Sequence, residues 1–148
     1  MIIQQISVFV ENRPGTLAEV LGVLKEHAIN LRALSVADTA DFGILRMIVN
    51  DPAKVEVILR GAGYAVKSTP VLTMTVADTP GGLLERMESL SAAGINVEYV
   101  YAFATTSAQE ARVVIKVDNL ERAARIVNGE TAANPADAAT GDVPGFYW

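Results

Sequence analysis

From Ile2 to Val10 the apolar residues Ile6, Val8 and Val10 alternate with Gln5, Ser7 and Phe9, a period of two that predicts a strand. Pro14 then stands where a helix can open, since a missing N–H costs nothing in the first turn. Leu17, Val20, Leu21, Leu24 and Ala28 follow at helical spacing and give one apolar stripe. Leu31 to Val36 and Phe42 to Val49 read as two strands around the turn Asp38-Thr39-Ala40-Asp41, a hairpin. Asp51-Pro52 opens a second helix with Val55, Ile58, Leu59 and Ala62 on its inner face. Gly61 and Gly63 end that helix, and Tyr64-Ala65-Val66 makes a short strand. The predicted order is βαββαβ.

The same order is then written again. Val71 to Val76 is a strand, and Pro80 to Ala93 a helix with Leu83, Met87 and Leu90 inward. Val97 to Ala104 and Glu110 to Val117 form a hairpin with a longer turn, and Leu120 to Val127 a second helix packing Leu120, Ala123, Ile126 and Val127. Pro14-Gly15 recurs as Pro80-Gly81, and Ile29-Asn30 as Ile95-Asn96, both at an offset of 66 residues. A repeat of that length is a small fold rather than a solenoid turn. Each βαββαβ unit predicts an α+β fold: a four-stranded antiparallel sheet with both helices on one face. The reading gives a first domain over 1–69 and a second over 70–129. Residues 130–148 form a linker rich in Ala, Asn, Asp and Pro with an aromatic tail, Phe146-Tyr147-Trp148. The last strand of the second copy is either lost or supplied by that tail.

Composition narrows the function. The chain has 148 residues, a net charge of −5 and no cysteine, which removes disulfides, thiolate metal sites and thiol nucleophiles. No cluster of Lys and Arg appears, so neither nucleic acid nor a charged membrane surface is an expected partner. No apolar run approaches the roughly 18 residues of a spanning helix. The start Met1-Ile2-Ile3-Gln4-Gln5 lacks the basic character of a signal peptide. A cytoplasmic protein is expected. The one histidine, His27, falls near a helix end on a polar flank, and no metal-ligand spacing accompanies it. The serines have no triad partners beyond that histidine. Gly61-Ala62-Gly63 ends a helix and is a cap rather than a phosphate loop. No cofactor and no catalytic set are expected.

The turn between first strand and first helix offers different chemistry. Free N–H groups at a helix start, with the positive end of its dipole, suit a carboxylate. Gly15, Gly81 and Gly82 remove Cβ atoms where a ligand could come close. Asn12 and Asp78 stand just ahead of each helix, where they either cap it or hold a ligand's ammonium or amide group. Asn30 and Asn96, at the other end of the helix, are either turn residues or ligand contacts.

Asn12-Arg13-Pro14-Gly15-Thr16-Leu17 with Ile29-Asn30-Leu31 resembles an ACT domain, the amino-acid-sensing module. Asp78-Thr79-Pro80-Gly81-Gly82-Leu83 with Gly94-Ile95-Asn96-Val97 resembles the commoner Asp-x-Pro-Gly form. The first copy is most similar to the regulatory domain of phosphoglycerate dehydrogenases. The resemblance implies two ferredoxin-like units that pair by sheet edges or helices, commonly as a homodimer. It implies a free amino acid held at the domain interface by Asn12, Arg13, Pro14, Gly15, Thr16, Leu17 and Asn30. The matching positions of the second copy are Asp78, Thr79, Pro80, Gly81, Gly82, Leu83 and Asn96. Family members regulate an enzyme, here expected to be a separate metabolic enzyme.

The expected function is a non-catalytic sensor that binds an amino acid and regulates a partner. The alternative is an assembly module without a ligand that uses its sheet edges and aromatic tail. A small carboxylate enzyme relying on Asp38, Asp41 or Asp78 is the third reading. For Phe146-Tyr147-Trp148 the expectation is docking on the chain's own sheet or a dimer mate, with partner recognition as the other possibility. Asn12 beside Arg13 makes the first turn the better carboxylate site, with the second as its structural counterpart.

Overall fold

Turn residues and periodicity convert into ten elements in a computed structural model that describes residues 1–104 and 109–129. They are β1 (Ile2–Glu11), α1 (Thr16–Glu26), β2 (Ala33–Asp38), β3 (Phe42–Ile48), α2 (Pro52–Gly61), β4 (Ala65–Ala77), α3 (Gly82–Ala92), β5 (Val97–Ala102), β6 (Glu110–Val117) and α4 (Leu120–Val127). The linker, the aromatic tail and the tip of the second hairpin turn lie outside the described residues.

The chain divides into two compact units, Gln4–Thr69 and a second formed by Met1–Ile3 with Pro70 onward. In the first, β3 stands between β2 and β1, and β1 is followed by Ala65–Thr69 of β4. In the second, β6 stands between β5 and the remainder of β4, and Met1–Ile3 lies on the other side of β4. The repeat survives in the strand register. Ile6 faces Met47 and Val8 faces Leu45; in the second unit Leu72 faces Ile115 and Met74 faces Val113. These are the α+β, antiparallel units expected.

Each unit closes its own core between sheet and helices. Ile6, Val8, Val10, Leu45 and Met47 from the strands meet Val20, Leu24, Val55 and Leu59 from α1 and α2. Leu72, Met74, Val76, Val113, Ile115 and Val117 meet Leu90, Leu120 and Ala123 in the same way. Full burial of one such side chain stabilises by about 1.5–3 kcal/mol relative to leaving it in water. Asp51 accepts a hydrogen bond from the Lys54 amide (3.1 Å) and Asn119 from the Arg122 amide (3.1 Å), so both second helices start on side-chain caps.

Four differences from the sequence reading have physical causes. Gly15 and Gly81, both left-handed at φ 90° and 87°, are the cap residues, so the first helices begin after the Pro-Gly pair rather than at the proline. Neither helix has a side-chain cap, which removes that role from Asn12 and Asp78. Ala65-Val66 and Val71–Val76 are not two strands but parts of one, β4, with Tyr64 just ahead of it; the backbone stays extended through Lys67-Ser68-Thr69-Pro70, because the fixed φ of proline is compatible with extended chain. Finally, the fourth-strand position of the second unit is taken by Met1–Ile3. The Thr73 amide donates to the Met1 carbonyl at 2.8 Å, and the Met1 nitrogen donates to the Thr73 carbonyl at 3.0 Å. β1 starts at Ile2, ahead of its register with β3, which runs from Ile6 to Glu11.

Candidate functional site

The first Pro-Gly turn is built by its own backbone. β1 ends at Glu11, and the Asn12 amide donates to the Asp41 carbonyl (2.9 Å) while its Nδ2 donates to the Thr39 carbonyl (3.3 Å). Asn12 is thus fixed to the β2–β3 turn instead of the helix. The buried Thr16 hydroxyl lies 2.8 Å from the Glu11 carbonyl and 3.1 Å from that of Arg13, one O–H shared between them. The first intrahelical bond runs from the Glu19 amide to the Gly15 carbonyl (2.9 Å). The amides of Leu17 and Ala18 ahead of it have no intrahelical acceptor, the ordinary condition of a helix start.

Arg13 gives the turn its charge. Its Nε donates to Glu11 Oε2 at 2.7 Å, and its Nη1 lies 3.9 Å from Glu19 Oε1. Its pKa is raised above the usual guanidinium value, chiefly by the hydrogen bond it donates to Glu11 and then by the charge of Glu19. All three side chains are more than half exposed, so the pairs contribute little to stability and exchange readily. Beside them opens a hollow of about 340 Å³ lined by Arg13, Glu11, Thr16 and Glu19 and by the aromatic rings of Phe9, Phe42 and Tyr64. A cation, two carboxylates and an aromatic wall can hold a molecule that carries both charges and an apolar group.

The other expected residues fall elsewhere. Pro14 and Gly15 shape the turn from exposed positions, and Leu17 is 37% exposed on α1. Asn30 lies in a separate hollow of about 420 Å³ with Leu21, Leu24, Lys25, Ala28, Ile29 and Leu31. Since α1 has 11 residues at about 1.5 Å each, it separates Asn12 from Asn30 by roughly 16 Å within this unit.

The second turn repeats the backbone and changes the chemistry. The Asp78 amide donates to the Gln109 carbonyl (3.1 Å), as Asn12 does to Asp41, and the Gly82 amide donates to the Thr79 carbonyl (3.0 Å). Gly82 stands where the first copy has Thr16, so close to the Ala77 carbonyl that a Cβ would collide with it. Asp78, Thr79, Pro80 and Gly81 are exposed, as is Leu83. Where the first turn has Glu11 and Arg13, the second has Ala77 and Thr79. Asn96 is engaged by its backbone: its amide donates to Asp118 Oδ1 (3.0 Å) and its carbonyl accepts from the Asp118 amide (3.2 Å).

Sequence reading did not select Phe9, Phe42, Tyr64, Glu11 or Glu19. Phe9 carried a signal, because an aromatic in the polar phase of an amphipathic strand has no core to fill. Glu11 and Glu19 flank Arg13 in sequence but meet it only when the turn folds back on the helix.

Elsewhere, His27 is exposed, with Nδ1 2.9 Å from the Val23 carbonyl. Among the described residues no three His, Cys, Asp or Glu side chains converge as a metal site. Among the same residues no helix is long and apolar enough to cross a membrane.

Comparison with known proteins places the chain. No curated protein matches it. Among solved structures it is similar to protein BT0572 from Bacteroides thetaiotaomicron, with 39% identity, a TM-score of 0.81 and coverage of 86% of this chain and 88% of that one. The fold is also that of the aspartate kinase regulatory subunit from Thermus thermophilus in its ligand-free form, at 18% identity, TM-score 0.58 and coverage of 86% and 93%. The corresponding subunit from Thermus flavus matches at 19% identity, TM-score 0.55 and coverage of 88% and 95%. The family model for an ACT domain pair matches residues 1–134. With two copies of the fold, two Pro-Gly turns and a match over nearly its whole length, the chain belongs to the family of paired ACT domains.

Proposed function

We propose that this chain is a non-catalytic regulatory sensor that binds a free amino acid at its first Pro-Gly turn and acts on a separate enzyme. The observation that carries the reading is the hollow beside Arg13. A zwitterion's carboxylate replaces Glu11 on the guanidinium, and its ammonium takes Glu11 and Glu19. Phe9, Phe42 and Tyr64 receive the side chain, which favours an apolar amino acid. The amides at the start of α1 add to the attraction for the carboxylate. The second turn has no arginine at the matching position and serves as the structural counterpart of the first. The narrower likeness of the first copy to phosphoglycerate dehydrogenase regulatory domains rests on its turn residues alone.

Fold neighbours that are regulatory subunits of aspartate kinase support a role beside an enzyme, and the aspartate kinase likeness itself is one of fold. A homodimer fits the outer edge strand β2, where Leu34 and Val36 are 44% and 49% exposed. A cytoplasmic setting agrees with the absence of cysteine.

Isothermal titration of the full chain against the twenty amino acids tests the proposal. One or a few apolar amino acids should bind, and Arg13→Gln should weaken them about tenfold or more, the usual loss when a charge-assisted hydrogen bond is removed. Silence from all twenty, with the protein folded, would leave the ligand-free assembly module as the reading.

A further inference from the structure

We propose that the second unit carries a site of another kind: a cationic hollow around Arg86 and Arg112 that takes a small oxyanion with two negative charges. The hollow has a volume of about 450 Å³ and is lined by Met1, Thr73, Met74, Thr75, Arg86, Arg112, Val127 and Asn128. Four elements build it. Arg86 comes from the middle of α3, Arg112 from β6, the two threonines from β4, and Asn128 from the cap of α4. The polar groups are thus two guanidiniums, two hydroxyls and a carboxamide, with Met74 and Val127 as apolar lining.

Arg112 is held in place without being neutralised. Its guanidinium lies 4.6 Å from the centre of the Phe103 ring, and Nη2 donates to Thr73 Oγ1 at 3.4 Å. Stacking on a ring fixes the plane of a guanidinium and leaves its remaining N–H groups to bond outward. Among the described residues no carboxylate lies within ion-pair distance of Arg86 or Arg112, whereas Glu11 and Glu19 pair with Arg13, Glu56 with Arg60 and Glu98 with Lys116. That is notable in a chain of net charge −5, where carboxylates outnumber cations. The positive field is felt nearby: the Met1 ammonium has its pKa lowered, first by burial and then by Arg112.

Two cations facing one hollow repel each other, and a dianion reverses that energy while pairing with both. Guanidinium is the side chain best matched to phosphate and carboxylate oxygens, which it can bind two at a time. Among the described residues the hollow has no acidic side chain to receive an ammonium group, so its lining does not suit a zwitterionic amino acid. This separates the site from the first turn, which offers both signs. The charge is also not inherited from the repeat. In the first unit, Val20 and Ile44 stand where the second has Arg86 and Arg112, and Phe9 where it has Thr75. A phosphate monoester and a small dicarboxylate share the required chemistry.

The test is calorimetric titration of the full chain with inorganic phosphate and, separately, with succinate, at constant ionic strength set by chloride. Saturable binding of one ion per chain is expected for at least one of the two, and which one binds identifies the source of the charge. Arg86→Gln and Arg112→Gln should each weaken it about tenfold. Arg125→Gln, which removes the same charge from α4 outside the hollow, should leave it unchanged. Absence of binding at millimolar concentrations overturns the site, as does equal weakening by Arg125→Gln, which would mean general charge attraction. Should Arg112→Gln lose structure with its Phe103 contact, Arg86→Gln at an unchanged thermal midpoint decides alone. Amino-acid binding at Arg13 is read in the same samples, so failure of one site does not imply failure of the other.

Discussion

Thr16 and Gly82 occupy one position in the two copies and meet the same backbone carbonyl differently. Thr16 fills the gap with a hydroxyl that bonds the Glu11 carbonyl, whereas Gly82 lets the helix press directly on Ala77. Gly82→Ala should therefore be destabilising, because its methyl group meets main chain that cannot rotate away. A cost of about 1–3 kcal/mol is expected, the range for overpacking. Thr16→Val keeps the shape and removes the hydrogen bond, for about 1 kcal/mol. Urea unfolding of both variants checks this, and a neutral Gly82→Ala would mean that the second turn relaxes at no cost. The contrast also bears on chemistry: a turn drawn tight by glycine, with Ala77 in place of Glu11, has lost the polar groups that surround Arg13.

At the scale of elements, the helices are held by the residues that periodicity selects. Leu24 and Leu90 are matched members of the repeat, and both are essentially inaccessible, one beneath α1 and one beneath α3. Leu24→Ala and Leu90→Ala should each cost about 2–5 kcal/mol, the range for a buried leucine that leaves a cavity. Leu17→Ala and Leu83→Ala, at matched but more than one-third exposed positions, should each cost under about 1 kcal/mol. Thermal or denaturant unfolding distinguishes the pairs, and comparable losses at all four sites would refute the burial argument. The stripe in α1 was legible because a period of 3.6 separates inner from outer residues. β6 and α4 were legible to their end residues because Glu110, Asn119 and Gly129 mark their limits. β4 was not, since Ser68 and Pro70 read as a break and only pairing decides that one strand continues. The hollow at Arg13 was half legible. Its cation sits in the motif, but Phe42 comes to it from β3 and Tyr64 from the connection between α2 and β4, and no local pattern announces such a meeting.

On the scale of the whole molecule, order in the sequence and membership of a unit part company at the N-terminus. Met1–Ile3 precede every residue of the first unit yet belong with the second. An unpaired β4 would leave the Thr73 and Thr75 edge open, and strands leave such edges bare only at a cost in specificity. Thr73 is only 3% exposed, with its amide donated to Met1 and its hydroxyl 3.2 Å from the Met1 carbonyl. Its neighbours Leu72 and Met74 lie in the core of the second unit. Removing Met1–Ile3 should therefore speed hydrogen exchange at the Thr73 amide under native conditions. The amides of Leu45 and Met47, in the β1–β3 and β2–β3 ladders of the first unit, should keep their protection. Undiminished protection at Thr73 would show that Met1–Ile3 contribute no strand. Equal loss at Leu45 and Met47 would place those three residues in the support of the first unit instead. The same deletion removes one wall of the hollow at Arg112 while leaving both guanidiniums in place. Oxyanion binding should then weaken less than on Arg86→Gln, because the pairing charges remain and only the lining is lost.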